Sequence, residues 1–199
     1  MNIVSKKAVV HDNVSLGTNC AIEDFVVIGK PACPEKVVIG NNSTIRVGSV
    51  IYPGVRIGDN FKTGVNALVR EKTVIGNACV VGSNSVLDGN CVLGDRVSIQ
   101  TGAYITWGSW IGNDVFIAPC VVTTNDKYPP GGSGVALEGP VIKDGVTVGA
   151  GTVLLPGVVL GERCVVGSGS VVTKDVPAGE VWMGNPAKFY KKREDVYPR

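Results

Sequence analysis

Histidine is almost absent from this chain, because His11 is the single one among 199 residues. A zinc centre that relies on several imidazoles is therefore excluded, and we expect no metal. The six cysteines include no CxxC pair, and the first residues show no basic segment followed by an apolar run. We therefore expect no secretory signal, free thiols and a cytoplasmic protein.

Net charge and long apolar runs are also lacking. The 19 Lys and Arg nearly balance the 17 Asp and Glu, for a net charge of +2, so we expect no nucleic-acid partner. The longest charge-free apolar stretch, residues 145–161, contains five Gly and one Pro, which argues against a membrane helix.

Leucine is scarce and is far outnumbered by Val and Ile, and this balance favours strands over helices. The length predicts a single domain.

What the chain has in abundance is a six-residue repeat, since an aliphatic residue returns at the head of nearly every block of six. The heads are Val4, Val10, Leu16, Ile22, Ile28; Ile39, Ile45, Ile51, Ile57, Thr63, Val69, Ile75, Val81, Leu87, Leu93, Ile99, Ile105, Ile111, Ile117, Thr123; and Ile142, Val148, Leu154, Leu160, Val166, Val172. Thr63 and Thr123 are the two heads that are not Val, Ile or Leu. The phase slips by five residues after Ile28 and by thirteen after Thr123, which predicts loops at 29–38 and 125–141.

The fifth position of a block is small or β-branched in most blocks. Positions one and five are an even number apart, so both point to the same side of a strand. One large and one small inward residue per block fit a narrow prism. Cys20, Cys79, Cys91 and Cys164 occupy the small slot, where free cysteine acts as a small hydrophobe.

The repeat resembles that of the hexapeptide-repeat acyltransferases, and VGAGTVLLPGVVLGERCVVGSGSVVTKDVPAGEVWMGNPAK resembles the C-terminal stretch of their acetyltransferase branch. The resemblance implies an all-β fold, a left-handed parallel β-helix of about nine triangular coils, each of three blocks, over residues 1–176. Residues 177–199 are then a short capping tail. It also implies a homotrimer with its active sites between subunits.

The resemblance implies acetyl-CoA as co-substrate. Residues three blocks apart share a corner, so Gly149–Gly151 should lie directly under Gly167–Gly169 and form a strip of small residues for the pantetheine arm. The predicted donor-binding residues on this strip are Ala150, Gly151 and Ser168. Three cations are available for the nucleotide phosphates, namely Arg163, Lys174 and Lys188.

The segment VFIAPCVVTTNDKYPP resembles that of acetyltransferases that modify amino sugars on nucleotide carriers. Trp107 and Asn125 are three blocks apart and should stack. Trp107 then either offers a flat face to a sugar or base or is buried at the contact between subunits. Tyr128 is a further candidate for substrate binding. Glu138 ends the loop, where maltose- and galactoside-type relatives also carry a Glu.

A polar constellation lower on the chain could also reach the substrate. Arg70 and Glu71 follow one another at a turn and are predicted to bind substrate, as is Asn84. Asn84 follows Asn66 by three blocks, and such a pair is also typical of structural Asn ladders in β-helices.

The maltose- and galactoside-type relatives carry His where this chain has Asn125, as the general base for a hydroxyl. Many sugar-nucleotide relatives have TGH where it has Thr63-Gly64-Val65. A hydroxyl needs a base before it can attack a thioester, whereas an amine needs less help. The missing imidazoles therefore favour N-acylation. Asn125 or a backbone amide would stabilise the oxyanion, and Asp126, Glu138 or Glu71 would accept the proton.

Other functions on the same fold remain as alternatives. One is O-acetylation of a sugar hydroxyl, and another is a scaffold that has lost its catalytic base and only binds or assembles. A zinc hydratase similar to the γ-class carbonic anhydrases is disfavoured by the single histidine.

Overall fold

The computed structural model describes residues 1–129, 134 and 136–196, and these form a parallel β-helix whose chain passes in turn through three sheets. Parts of the predicted loop 125–141 and of the predicted tail 177–199, namely residues 130–133, 135 and 197–199, lie outside the described residues. Strands one coil apart pair in register with a separation of three blocks, as Val74 does with Val92 and Leu68 with Val86. The predicted coil length is therefore confirmed.

The strands are numbered along the chain, and each sheet forms one face of a three-sided prism. Face A contains β1 (Ile3–Val4), β4 (Ala21–Ile22), β7 (Thr44–Ile45), β10 (Lys62–Thr63), β13 (Val80–Val81), β16 (Ser98–Ile99), β19 (Phe116–Ile117), β22 (Thr147–Val148), β25 (Val165–Val166), β27 (Glu180–Met183) and β28 (Lys188–Lys192). Face B contains β2 (Val9–Val10), β5 (Val27–Ile28), β8 (Val50–Ile51), β11 (Leu68–Val69), β14 (Val86–Leu87), β17 (Tyr104–Ile105), β20 (Val122–Thr123), β23 (Val153–Leu154) and β26 (Val171–Val172). Face C contains β3 (Val14–Leu16), β6 (Val37–Ile39), β9 (Arg56–Ile57), β12 (Val74–Ile75), β15 (Val92–Leu93), β18 (Trp110–Ile111), β21 (Val141–Ile142) and β24 (Val159–Leu160).

The core is a single column of side chains inside the prism. Every block head from Ile22 to Val172 is buried, as are the four cysteines assigned to the small slot. The heads of the first coil are less covered, and Val4 is exposed because no coil lies beyond it. The inward residues that the repeat predicts are therefore buried, and their burial stabilises the stack of coils.

One small slot carries a large residue. Phe61 is completely buried at a fifth position, and the next block head is Thr63 instead of an aliphatic residue. The small Thr63 leaves the volume that the phenyl ring needs, so a large and a small residue have exchanged places.

The three edges of the prism are named by the faces they join: edge AB, edge BC and edge CA. Both inserts follow strands of face B, β5 and β20, and therefore leave the prism at the same edge, edge BC. The first insert occupies residues 29–36 and is shorter than predicted, because Val37 and Val38 belong to β6.

The C-terminal segment first continues the helix and then closes it. Strand β27 adds to β25 in parallel as a further layer of face A, and β28 turns back to pair with β27 antiparallel. Trp182 covers the last core residues and is 8% exposed. The edge strand β28 carries three lysines, which discourage pairing with another chain. A single turn of 3₁₀ helix, Arg193–Asp195, follows it.

Candidate functional site

The predicted acceptor corner is on edge BC. The Asn125 Nδ2 group donates to the Trp107 carbonyl oxygen at 3.4 Å, so the two residues lie on adjacent coils as their spacing predicted. The Trp107 side chain is 43% exposed, and Asn125 is partly buried. An aromatic face open to solvent therefore lies beside an amide.

The second insert is closed at its base by the main chain. The Glu138 N–H donates to the Asn125 carbonyl at 2.9 Å, and the Gly157 N–H donates to the Glu138 carbonyl at 2.9 Å. Inside the insert, the Tyr128 N–H donates to Asp126 Oδ1 at 2.9 Å. Asn125, Asp126 and Glu138 are thus grouped at one point of edge BC, although the insert separates the first from the last along the chain.

A charged network lies lower on the same edge. Arg70 donates from an Nη to Asp88 Oδ1 at 2.7 Å and from Nε to Glu71 Oε2 at 3.1 Å. The Tyr104 hydroxyl donates to Asp88 Oδ2 at 2.7 Å. The bond to Asp88, followed by that to Glu71, raises the pKa of the Arg70 guanidinium. Burial and then the bond to Asp88 raise the pKa of Tyr104 to about 12, so its hydroxyl stays a donor at neutral pH.

This network lines a cleft of about 520 Å³ that reaches up to Trp107. Its walls are formed by Glu35, Arg70, Glu71, Lys72, Asp88, Gly89, Asn90 and Trp107. The structure therefore brings Arg70 and Glu71 into one cleft with Trp107, as substrate residues of one site would be. The volume is within the range of small-molecule sites.

Sequence reasoning missed three residues of this region. Asp88 follows Arg70 by three blocks and so had to stack on it, and Glu35 belongs to the insert that leaves the same edge. Glu35 approaches Lys72 at 3.5 Å. Tyr104 points outward from face B, and the inward repeat carries no signal for such a residue.

The predicted donor strip lies on edge AB. The Gly169 N–H donates to the Ala150 carbonyl at 2.7 Å, so residues 149–151 do lie under 167–169. A methyl group added at Gly149 would lie 2.4 Å from the Ser168 nitrogen, whereas one added at Gly151 or Gly169 meets nothing within 4 Å. Glycine at 149 is therefore required by the stacking, and the space outside 151 and 169 is open.

The other predicted residues are dispersed. Asn84 lies on edge AB, on the opposite side of face B from Arg70 and Glu71, and its N–H donates to the Val65 carbonyl at 2.9 Å. Arg163 is on edge CA, Lys188 begins β28, and Lys174 is on edge BC with Nζ 5.3 Å from the centre of the Trp182 ring. The three cations do not converge on one phosphate position within a chain.

The two halves of the predicted site occupy opposite edges of face B at nearly the same height. Asn125 on edge BC and Ala150 on edge AB belong to successive coils, so they differ by about 5 Å along the prism. The intervening strand keeps them roughly 13 Å apart across the face. His11 is also on edge BC, but six coils below Asn125, or roughly 29 Å away.

The sequence matches two family models of hexapeptide transferases. The model described as bacterial transferase hexapeptide (six repeats) matches residues 72–106 and 139–174, and the hexapeptide repeat of succinyl-transferase matches residues 36–69. Together they cover more than half of the chain. The chain therefore belongs to the hexapeptide-repeat transferase family, a class of acyltransferases whose fold is the left-handed parallel β-helix.

Solved structures of acyltransferases share this fold. The UDP-N-acetylglucosamine acyltransferase LpxA of Bacteroides fragilis has a TM-score of 0.65 and 18% identity over 96% of this chain and 75% of its own. The Campylobacter jejuni UDP-N-acetylglucosamine acyltransferase has a TM-score of 0.63 and 17% identity over 95% and 74%. The Arabidopsis enzyme of the same description has 0.58 and 18% over 97% and 75%. No curated protein sequence matches the chain significantly.

Two further observations concern residues 1–129, 134 and 136–196. No three His, Cys, Asp or Glu side chains there are placed to hold a metal ion together. No helix within the same residues is long and apolar enough to cross a membrane.

Proposed function

We propose that this protein is an acetyl-CoA-dependent acetyltransferase that N-acetylates an amino sugar carried on a nucleotide. The observation that carries the proposal is the composition of edge BC around Trp107. It offers an aromatic face, an amide and several carboxylates, and the single imidazole of the chain is roughly 29 Å away. Such a site can orient an amine, but it has no imidazole to deprotonate a hydroxyl.

The reaction needs one nucleophile and one proton acceptor. The unprotonated amine attacks the thioester carbonyl, the C–N bond forms, and the tetrahedral intermediate expels the thiolate of coenzyme A as the C–S bond breaks. Asn125 donates a hydrogen bond to the developing oxyanion, and Asp126 or Glu138 accepts the proton that the nitrogen loses. Holding amine and thioester in reach of one another supplies much of the acceleration.

The acceptor occupies the cleft on edge BC. A sugar ring or base stacks on Trp107, and Tyr128, Arg70 and Glu71 border the remainder of the nucleotide sugar. The donor arm lies on the strip outside Gly151 and Gly169, where the space is open. Ala150 and Ser168 flank that strip, and Arg163, Lys174 and Lys188 are candidate partners for the donor phosphates.

A homotrimer completes the site. Donor strip and acceptor corner lie on opposite edges of face B within one chain, so a thioester on the first does not reach an amine on the second. A rotation about an axis parallel to the prism preserves height, and it can place the strip of one copy beside the acceptor corner of its neighbour. Trp110, Phe116 and Val122 are exposed on the three outer faces and supply apolar contact surface.

A cytoplasmic location fits the supply of acetyl-CoA and the state of the cysteines. All six are free thiols, as expected in a reducing compartment.

The test is a thiol-release assay with acetyl-CoA against a panel of aminated sugar nucleotides and their hydroxyl counterparts. We expect release with at least one aminated nucleotide and none with its hydroxyl counterpart. Release with hydroxylated acceptors alone would identify an O-acetyltransferase, and a protein that neither binds acetyl-CoA nor turns over would be a scaffold. Asn125→Ala should lower kcat by about 100- to 1,000-fold, the range for a lost oxyanion donor. Glu138→Gln should lower it by about 100- to 10,000-fold, the range for a lost proton acceptor.

A further inference from the structure

Two threonines interrupt the hydrogen-bond ladder that joins the coils. In the described coils, the residue after a block head donates its N–H to the carbonyl of the head one coil later, as Gln100 does to Ile117 and Thr124 to Leu154. Arg46 and Thr106 depart from this rule. Arg46 N–H donates to Thr63 Oγ1 at 2.8 Å, and Thr106 N–H donates to Thr123 Oγ1 at 2.7 Å.

The strand pairing is interrupted at the same two places, where one residue pair is missing. Between β7 and β10 the pair Thr44–Lys62 is present without the following pair, and between β17 and β20 the pair Tyr104–Val122 is likewise alone. The two heads that break the aliphatic repeat are therefore the two that divert a backbone N–H to a side-chain hydroxyl.

The bond from the Thr106 N–H to the Thr123 hydroxyl lies at the candidate acceptor corner. That hydroxyl accepts from Thr106, the residue before Trp107, and lies 3.4 Å from the Tyr104 carbonyl. Thr123 is itself two residues before Asn125. One buried hydroxyl thus links the segment that carries Tyr104 and Trp107 to the segment that carries Asn125.

We infer that Thr123 is a positioning residue for the acceptor, because its hydroxyl sets the distance and orientation of Trp107 relative to Asn125. The inference rests on the proposed function, which places the acceptor at this corner. Thr123 touches no substrate itself and acts through the peptide before Trp107. Thr63 makes the equivalent bond on edge AB, three coils below Thr123 and on the opposite side of face B from the acceptor cleft.

Thr63 therefore supplies a matched control inside the same chain. Thr123→Val and Thr63→Val each keep the shape of the side chain and remove the acceptor of one backbone N–H. Each also removes one further bond, from Thr123 to the Tyr104 carbonyl at 3.4 Å or between Thr63 and the Ser49 hydroxyl at 3.2 Å. Each should lower the melting temperature by about 2–8 °C. Thr123→Ser and Thr63→Ser keep the hydroxyl.

The kinetic test separates positioning from stability. With the aminated sugar nucleotide found in the panel, Thr123→Val should lower kcat/KM for the acceptor about tenfold or more, mainly through KM, and leave the KM of acetyl-CoA unchanged. Thr63→Val should stay within about twofold of wild type, and Thr123→Ser should recover most of the loss. Equal kinetics for the two valine variants would overturn the inference, as would a serine variant as impaired as the valine.

Hydrogen exchange gives a readout that does not depend on turnover. In Thr123→Val, exchange should quicken over residues 104–108 and 124–129, while Thr63→Val should leave those residues at wild-type rates. If wild type acetylates no member of the panel, the proposed function fails, and the exchange rates still decide the positioning. Unchanged exchange in Thr123→Val would refute it.

Discussion

The predicted donor strip can be tested with a substitution that should keep the fold, because the chain already carries Asn at equivalent turns. Asn66, Asn84, Gly102, Cys120, Gly151 and Gly169 occupy equivalent turns of edge AB, and all have a positive φ between 53° and 70°. Asn therefore fits the backbone of this turn. A side chain at Gly151 would enter open space, because its Cβ meets nothing within 4 Å.

Gly151→Asn is expected to fold and to lose donor binding. The left-handed turn costs an asparagine about 1 kcal/mol relative to glycine, which for a chain of this size lowers the melting temperature by about 2–4 °C. An amide that occupies the strip should weaken acetyl-CoA binding at least about tenfold, or about 1.4 kcal/mol. Calorimetric titration with acetyl-CoA measures the affinity, and a thermal melt verifies the fold.

Gly102→Asn is the control, since it places the same side chain on the same edge at a lower coil. Its Cβ would lie 3.4 Å from Cys120 Sγ, an ordinary contact. Affinity should remain within about twofold of wild type. A Gly151→Asn protein that binds acetyl-CoA as tightly as wild type would show that the donor lies elsewhere, and the strip would be a purely structural consequence of stacked turns.

The core and the charged network give three more expected outcomes. Phe61→Ala should destabilise the protein by about 3–5 kcal/mol, because it empties a fully buried site, and chemical denaturation measures the loss; a cost below about 1 kcal/mol would contradict the exchange of sizes with Thr63. Burial raises the pKa of Cys91 to about 11 and of Cys164 to about 12, so iodoacetamide at mildly alkaline pH should label Cys120 before either, and mass spectrometry of the labelled peptides would expose a different order. The pKa of Tyr104 is higher in the folded than in the unfolded protein. Its contribution to the free energy of unfolding is therefore complete below about pH 10 and is lost as pH rises towards 12. Denaturation of Tyr104→Phe should show a smaller loss of stability between these pH values than wild type, and identical profiles would argue against it.

The repeat phase predicts a narrow prism, because an inward residue must recur every six positions, and this rule locates the buried heads, the cysteine fillers and both inserts. The coil of three blocks, and with it the stacking of Trp107 under Asn125, is what the resemblance to the hexapeptide-repeat acyltransferases implies. The rule also implies that both inserts leave one edge, since each follows a strand of the same face. The prediction succeeds because a one-residue-wide core leaves little freedom in register.

What the repeat cannot predict are contacts between outward side chains. Asp88 receives Arg70 from one coil below and Tyr104 from face B, and both partners depend on rotamers rather than on phase. Phe61 is also unexpected, because its fit depends on a small neighbour at the next head. The dispersal of Arg163, Lys174 and Lys188 has a different reason: closeness to the donor strip in sequence is not closeness in space, because a step of six residues moves the chain to another edge.

The chemistry of the product tests the central claim most directly. Wild-type protein is incubated with acetyl-CoA and each aminated sugar nucleotide of the panel, and the product is analysed by mass spectrometry before and after treatment with hydroxylamine. The account predicts a nucleotide sugar that is one acetyl group heavier and keeps that group under hydroxylamine, because the new bond is an amide. A product that hydroxylamine strips, and that also forms from acceptors without an amine, would be an ester and would contradict it.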